Sequence, residues 1–323
     1  MCSQFGWVDF AEEDRQQMLD VVKLFRRRDT RDELGLGSVR DAFSDWFFPG
    51  TSTIQTRARY MLLVPWVYKD LERRRVPSAE ADKQGRSREI RLIKALQSGG
   101  QDDQTGVIGN MAGQTLQRLP SNVYWAGLGI WGIRLFPGSQ NEYHRSLDRF
   151  HRRQRQMPEK GDDGGESTLL PPENWHPGLP EMPEGLFQST TLELAPDEAI
   201  YLRDRILTRH HESLLAKLLL ADRAHEGVHY PWQHPIVVAL PEKLQRELLH
   251  ARNFSECMYG ASMLYNLMLA QEKQAAERVD EYTATLELWA AVVALRWEAL
   301  REWHRHLGDL WALKALEGRV PSR

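Results

Sequence analysis

The run Gly50-Thr51-Ser52-Thr53, followed by Gln55, Thr56, Arg57 and Arg59, has the residue types of a phosphate cradle. A glycine turn leading into a helix leaves free backbone N–H groups and the positive end of the helix dipole aimed at one place, which favours an anion. The hydroxyls and the amide add donors, and the two arginines add charge. The lysine and spacing of a nucleotide P-loop are missing, so ATP hydrolysis is not expected. The competing reading is a capped helix whose arginines pair with Asp41 and Asp45.

Arginine is the second signal. Of 42 basic residues, 33 are Arg, whose planar fork donates two hydrogen bonds at once to a phosphate. Residues 1–160 hold 26 Lys and Arg against 20 Asp and Glu, while the remainder hold 16 against 25, so the two halves carry opposite fields. Three clusters stand out: Arg26-Arg27-Arg28, Arg73-Arg74-Arg75, and Arg152 with Arg153 and Arg155. Gathered on one face they would track the backbone of DNA or RNA; dispersed, they are solvated helix ends. The residues expected to touch phosphate are Thr51, Ser52, Thr53, Gln55, Arg57, Arg59, Arg152, Arg153 and Arg155.

The third signal is His225-Glu226-Gly227-Val228-His229, the HExxH spacing in which His225 and His229 bind zinc and Glu226 acts as base. Gly227 weakens a helix inside the motif and Pro231 ends it two residues later. Third-ligand candidates are His234, Glu247 and His250. Neither a metal nor a cofactor is therefore expected in the main reading. No G-x-S-x-G elbow occurs, and Cys257 lies inside an apolar helical run, so no catalytic residue is assigned.

The elements that must hold these groups read as helices. Asp9 with Glu12 and Ser38 with Asp41 have the spacing of capping boxes, each followed by an apolar face. A long helix is expected from Thr53, bent at Pro65, then a loop over 76–88 and a helix over Ser87 to Gln97. Ser121 caps a run to Trp131 so apolar that core packing is favoured over use as a DNA recognition helix. Residues 151–192 carry five prolines between 171 and 183 and read as an extended connector anchored by Trp175 and Phe187. Pro196 opens a further helix, and Glu281 to Leu316 reads as a long amphipathic one, bent at Gly308. The expected architecture is all-α: a basic domain over 1–150, the connector over 151–192, and an acidic domain over 193–323. The longest apolar stretches are too short for a bilayer, no secretion signal is evident, and Cys2 and Cys257 suit a reducing compartment, so a cytoplasmic protein without membrane partners is expected.

The segments "FGWVDF" at Phe5, "RDELGLG" at Arg31, "FPGTSTIQTRARYMLLVPW" at Phe48 and "LPSNVYWAGLGIWGI" at Leu119 resemble a bacterial family known as a domain of unknown function. "NWHPGLPEMP" at Asn174 and "FSECMYGASMLYN" at Phe254 extend the likeness along most of the chain. Members of that family tend to be encoded beside helicases and phospholipase-D-like nucleases in phage-defence islands. The resemblance implies a non-catalytic accessory subunit that binds nucleic acid or a helicase or nuclease partner, and it assigns no catalytic residue. The alternatives are a zinc-dependent hydrolase using His225, Glu226 and His229, and a helical assembly scaffold. The oligomeric state is left open.

Overall fold

A computed structural model describes residues 36–99, 105–110, 116–156, 173–221, 227–305 and 308. Among them are ten α-helices: α1 (Leu36–Phe47), α2 (Tyr60–Arg73), α3 (Ser78–Gly99), α4 (Pro120–Ile130), α5 (Gln140–Gln156), α6 (Pro196–His210), α7 (Leu214–Ala221), α8 (Glu242–Glu272), α9 (Ala276–Ala294) and α10 (Trp297–Arg305). No strand occurs among the described residues, and a single antiparallel bridge joins Arg134 to Trp175. The chain is all-α. No helix among the described residues is long and apolar enough to cross a membrane.

Two compact units form. One spans Ser44–Arg252; the other holds the described residues of Met1–Phe43 and Asn253–Arg323. In the first unit α2 is buried on nearly every side, from Tyr60 through Tyr68 and again at Leu71, as expected of a helix apolar all round. It packs against α3 and α4, and α3 packs against α5. Tyr68, Trp125, Tyr143 and Trp175 meet mostly edge to face, with centroids 5.5–6.0 Å apart in those pairs.

Three expectations change here. The helix expected from Thr53 begins at Tyr60, because the backbone before it is held in turns packed on α4. The loop expected over 76–88 is helical from Ser78, because Ala81 and Gly85 are small enough to lie against the core and continue the buried face of Leu92, Ile93 and Leu96. The expected connector does not separate the units. From Glu173 onward it is a strap laid on the first unit: Trp175, Leu179 and Leu186 are buried, Trp66 Nε1 donates to Pro180 O at 2.7 Å, and Thr190 N donates to Ala95 O at 3.1 Å. Its prolines prevent helix without preventing burial.

A buried polar network locks α2, α3, α4 and α5 together. Gln140 Nε2 donates to Tyr68 Oη (2.5 Å) and Ser121 Oγ (3.0 Å), and both hydroxyls donate to Glu89 Oε1 (3.0 and 2.7 Å). Ser121 N donates to Glu89 Oε2 at 2.8 Å, so a carboxylate from α3 sits at the N-terminus of α4, where the dipole favours it. Ser121, expected as the cap, lies inside the helix; Leu119 is the cap residue, and its N–H is taken by Asn122 Oδ1 at 3.0 Å. Most of α4 is buried, as the core reading requires.

In the other unit, α9 runs back along the part of α8 beyond Asn253. Trp289 Nε1 donates to Glu256 O at 2.8 Å, and Arg296 pairs with Glu256 and bonds Asn253 Oδ1 at 2.7 Å.

Candidate nucleic-acid interface

The Gly50–Arg59 stretch is not an open cradle. Gly50 takes φ +78°, and a Cβ there would meet the indole of Trp131, whose Nε1 donates to Pro49 O at 2.7 Å. Thr51 N and Oγ1 both donate to Phe48 O, and Gln55 Nε2 donates to Gly50 O. Thr56 Oγ1 donates to Gly106 O at 2.6 Å. The place expected for an anion is taken by a phenol: Tyr124 Oη accepts from Thr56 N (2.9 Å) and Arg57 N (3.1 Å) and donates to Arg57 O (2.9 Å). Ser52 and Thr53 are exposed, and Arg57 lies against Gly106.

Arg59 is buried. Its Nε and Nη2 donate to Glu198 Oε2 and Oε1 at 2.9 and 2.7 Å, and Nη1 donates to Thr191 O at 2.9 Å. The partner is thus Glu198 of α6, where Asp41 and Asp45 were expected, and the guanidinium is committed to tying α6 to the start of α2.

About 20 Å away, at the other end of α2, the arginines behave differently. Asp70, with 1% of its side chain exposed, accepts from Arg73 Nη2 (2.9 Å), Arg74 Nε (2.8 Å) and Arg88 Nε (2.8 Å). Burial would raise this carboxyl, but the hydrogen bonds from Arg88, Arg73 and Arg74 outweigh it and hold Asp70 below its ordinary value. The Arg73 and Arg74 side chains are 67% and 59% exposed, so Asp70 aims them while leaving most of their donors in solvent. Helix α2 then ends in a left-handed turn: Arg75 has φ +52°, Arg75 N donates to Glu72 O, and Val76 N donates to Leu71 O.

The end of α5 arrives at the same place. His151 Nε2 lies 3.3 Å from Val76 O, and Gln154 lines a 370 Å³ groove together with Lys69, Arg73 and Arg75. Arg152, Arg153 and Arg155, all exposed, flank Gln154 on the last turns of α5. The two helix ends that carry these clusters, more than 70 residues apart in sequence, therefore meet at one groove, to which α5 contributes Gln154. The groove also holds Glu181 and Glu72; Glu72 Oε1 accepts from Tyr143 Oη, Asn174 Nδ2 and Trp175 Nε1, and burial pushes its carboxyl up despite these bonds. Arg26, Arg27 and Arg28 lie outside the described residues.

A family model described as "Family of unknown function (DUF6361)" matches residues 2–322. The chain belongs to the DUF6361 family. No curated protein and no solved structure matches it.

In this DUF6361 chain the zinc alternative falls partly outside the described residues, which exclude His225 and Glu226. Gly227 takes φ +84°, which a right-handed helix does not allow, so His229 does not continue a helical turn from the residues before it. His234 Nδ1 accepts from Ile236 N at 3.1 Å, and Glu247 Oε2 accepts from Trp46 Nε1 at 2.7 Å. Among the described residues no group of three His, Cys, Asp or Glu could hold a metal ion. In the DUF6361 groove Lys69, Asp70 and Gln154 are residues that sequence reasoning did not assign to a site, and Arg88, which pairs with Asp70, is another beside it. The i, i+3 and i+4 spacing of Asp70, Arg73 and Arg74 was the one signal that pointed there.

Proposed function

We propose that this DUF6361 protein is a non-catalytic accessory subunit of a prokaryotic anti-phage machinery that holds nucleic acid along the arginine-lined groove between the ends of α2 and α5. The observation that carries the reading is one groove lined by Lys69, Arg73 and Arg75 from the end of α2 and by Gln154 of α5, with the exposed Arg152, Arg153 and Arg155 on the same last turns of α5. Exposed guanidinium groups aimed by a buried carboxylate suit a polyanion whose phosphates repeat along a line. Thr51, Ser52, Thr53 and Gln55 are not needed in this reading, and Arg59 serves the fold. The defence setting rests on the resemblance to a family encoded beside helicase and nuclease genes. Exposed apolar side chains in the other unit also support the subunit role: Tyr265, Met268, Leu288 and Leu295 are 61%, 59%, 67% and 89% exposed, and such side chains are of the kind that protein partners cover.

Fluorescence anisotropy with labelled DNA and RNA, single-stranded and duplex, at about 50 mM salt tests the reading. Arg153→Glu with Arg155→Glu should weaken binding at least about tenfold without changing the melting temperature. Failure of the unsubstituted protein to bind any of these strands, with helicase or nuclease subunits captured all the same, would leave a protein-only scaffold.

A further inference from the structure

Beside the groove lies a smaller cavity of about 190 Å³ with a different charge pattern. One wall is α3, where Gln84, Ser87, Arg88 and Arg91 recur at helical spacing and share a face. Asp70 and Arg74 of α2 form the second wall, and Phe187 and Gln188 of the strap form the third. The Arg88 side chain is 12% exposed and is held from two sides, by Asp70 and by Gln84 Oε1 at 3.0 Å. Arg91 lies over the Phe187 ring, 5.6 Å from its centre. Three arginines against one aspartate leave the cavity two positive charges in excess.

We infer that this cavity is a specific seat for a terminal phosphate, the phosphomonoester end of a nucleic-acid strand or of a mononucleotide. This rests on the nucleic-acid reading above but assigns a separate site and a separate specificity. A phosphomonoester carries about −1.5 to −2 charges at neutral pH, whereas each phosphodiester within a strand carries one, so the excess of two matches the end of a strand. The volume is below the roughly 300 Å³ at which pockets begin to enclose a drug-sized ligand, so it suits a small charged group. A 300 Å³ cavity adjoins it, sharing Asp70, Arg74, Phe187 and Gln188 and walled by the turn from Met182 to Leu186, and this is where the attached nucleoside goes. Asp70 is a positioning residue: it touches no ligand and fixes the directions of the arginines.

The test compares otherwise identical single-stranded oligonucleotides ending in a 5′-phosphate, a 3′-phosphate or hydroxyls only, with calorimetry of a nucleoside monophosphate alongside. A strand with one phosphorylated end should bind about tenfold more tightly than the hydroxyl strand. Arg91→Gln and Arg88→Gln should abolish that preference, and Arg91→Lys should keep part of it. Arg153→Gln should lower affinity for all strands equally. Equal binding of all three strands overturns the terminal-phosphate seat while leaving the groove reading intact. If no strand binds but the nucleoside monophosphate binds one per chain and is lost in Arg91→Gln, the seat stands and the groove reading falls. If the nucleoside monophosphate also fails to bind, both are overturned.

Discussion

Arg75 occupies a backbone position that ordinarily belongs to glycine. At φ +52°, in the left-handed turn that closes α2, an L side chain costs on the order of 1 kcal/mol relative to glycine. Nothing in the packing requires an arginine there, since the side chain is exposed, whereas its place in the groove beside Arg73 and Gln154 gives it a role in binding. Arg75→Gly is therefore expected to raise the unfolding free energy by about 1 kcal/mol, read by urea denaturation, and to weaken DNA binding in the same preparation. A variant that binds normally would show that the arginine is incidental. Glu89 shows a second, quite different constraint. Burial pushes its carboxyl up to about 7, against hydrogen bonds from Ser121 N, Ser121 Oγ and Tyr68 that act to lower it. Between its ordinary value of 4.5 and about 7 the folded chain holds a proton that the unfolded chain releases. The stabilisation is complete below the lower value and is lost as pH rises through the upper one, a change of roughly 3 kcal/mol. Glu89→Gln, neutral at every pH, should flatten the fall in melting temperature between pH 5 and pH 8. An unchanged slope would place the titration elsewhere.

At the scale of elements, the Arg59–Glu198 pair decides how α6 docks. Glu198 lies in the first turn of α6, where it also accepts from Ala195 N at 3.0 Å, and its side chain is 5% exposed against 10% for Arg59. Removing either partner strands the other charge in the interior, so Arg59→Ala or Glu198→Ala should cost about 3–5 kcal/mol. An apolar pair such as Arg59→Met with Glu198→Leu should recover most of it, and a thermal-melt double-mutant cycle separates the cases. A loss below about 1 kcal/mol in the single variants would mean that water reaches the pair. The same elements show what periodicity reveals and what it hides. Helical spacing, prolines and glycines were enough to read an all-α chain, the buried face of α2 and the core role of α4. They could not distinguish a buried strap from a linker over 173–192, because proline reports only that a segment is not helical. Nor could they place Arg59. A basic residue nine positions after Gly50 reads the same in sequence whether it meets a phosphate or Glu198, and the deciding contact spans 139 positions. Tyr124 was the overlooked hint: a hydroxyl inside an apolar run must find partners, and it found the N–H groups that otherwise would have been free for an anion.

For the whole molecule, net charge argues against indiscriminate attraction to nucleic acid. The chain carries −3, and the residues after 160 carry a clear acidic excess, so any salt-sensitive binding must come from a local surface rather than the overall field. The groove supplies one, with Lys69, Arg73 and Arg75 at its wall and Arg152, Arg153 and Arg155 around Gln154. If four to six of these cations each neutralise a phosphate, the logarithm of the duplex affinity should fall against the logarithm of salt with a slope of about −4 to −5. Replacing Arg153 or Arg73 with Gln should reduce that slope by about 1 for each charge removed. Arg278→Gln, on the exposed surface of α9 in the other unit, removes the same charge from the molecule and should leave the slope unchanged. An equal effect at all three positions would mean that the field of the whole chain, and not the convergence of α2 and α5, controls the encounter.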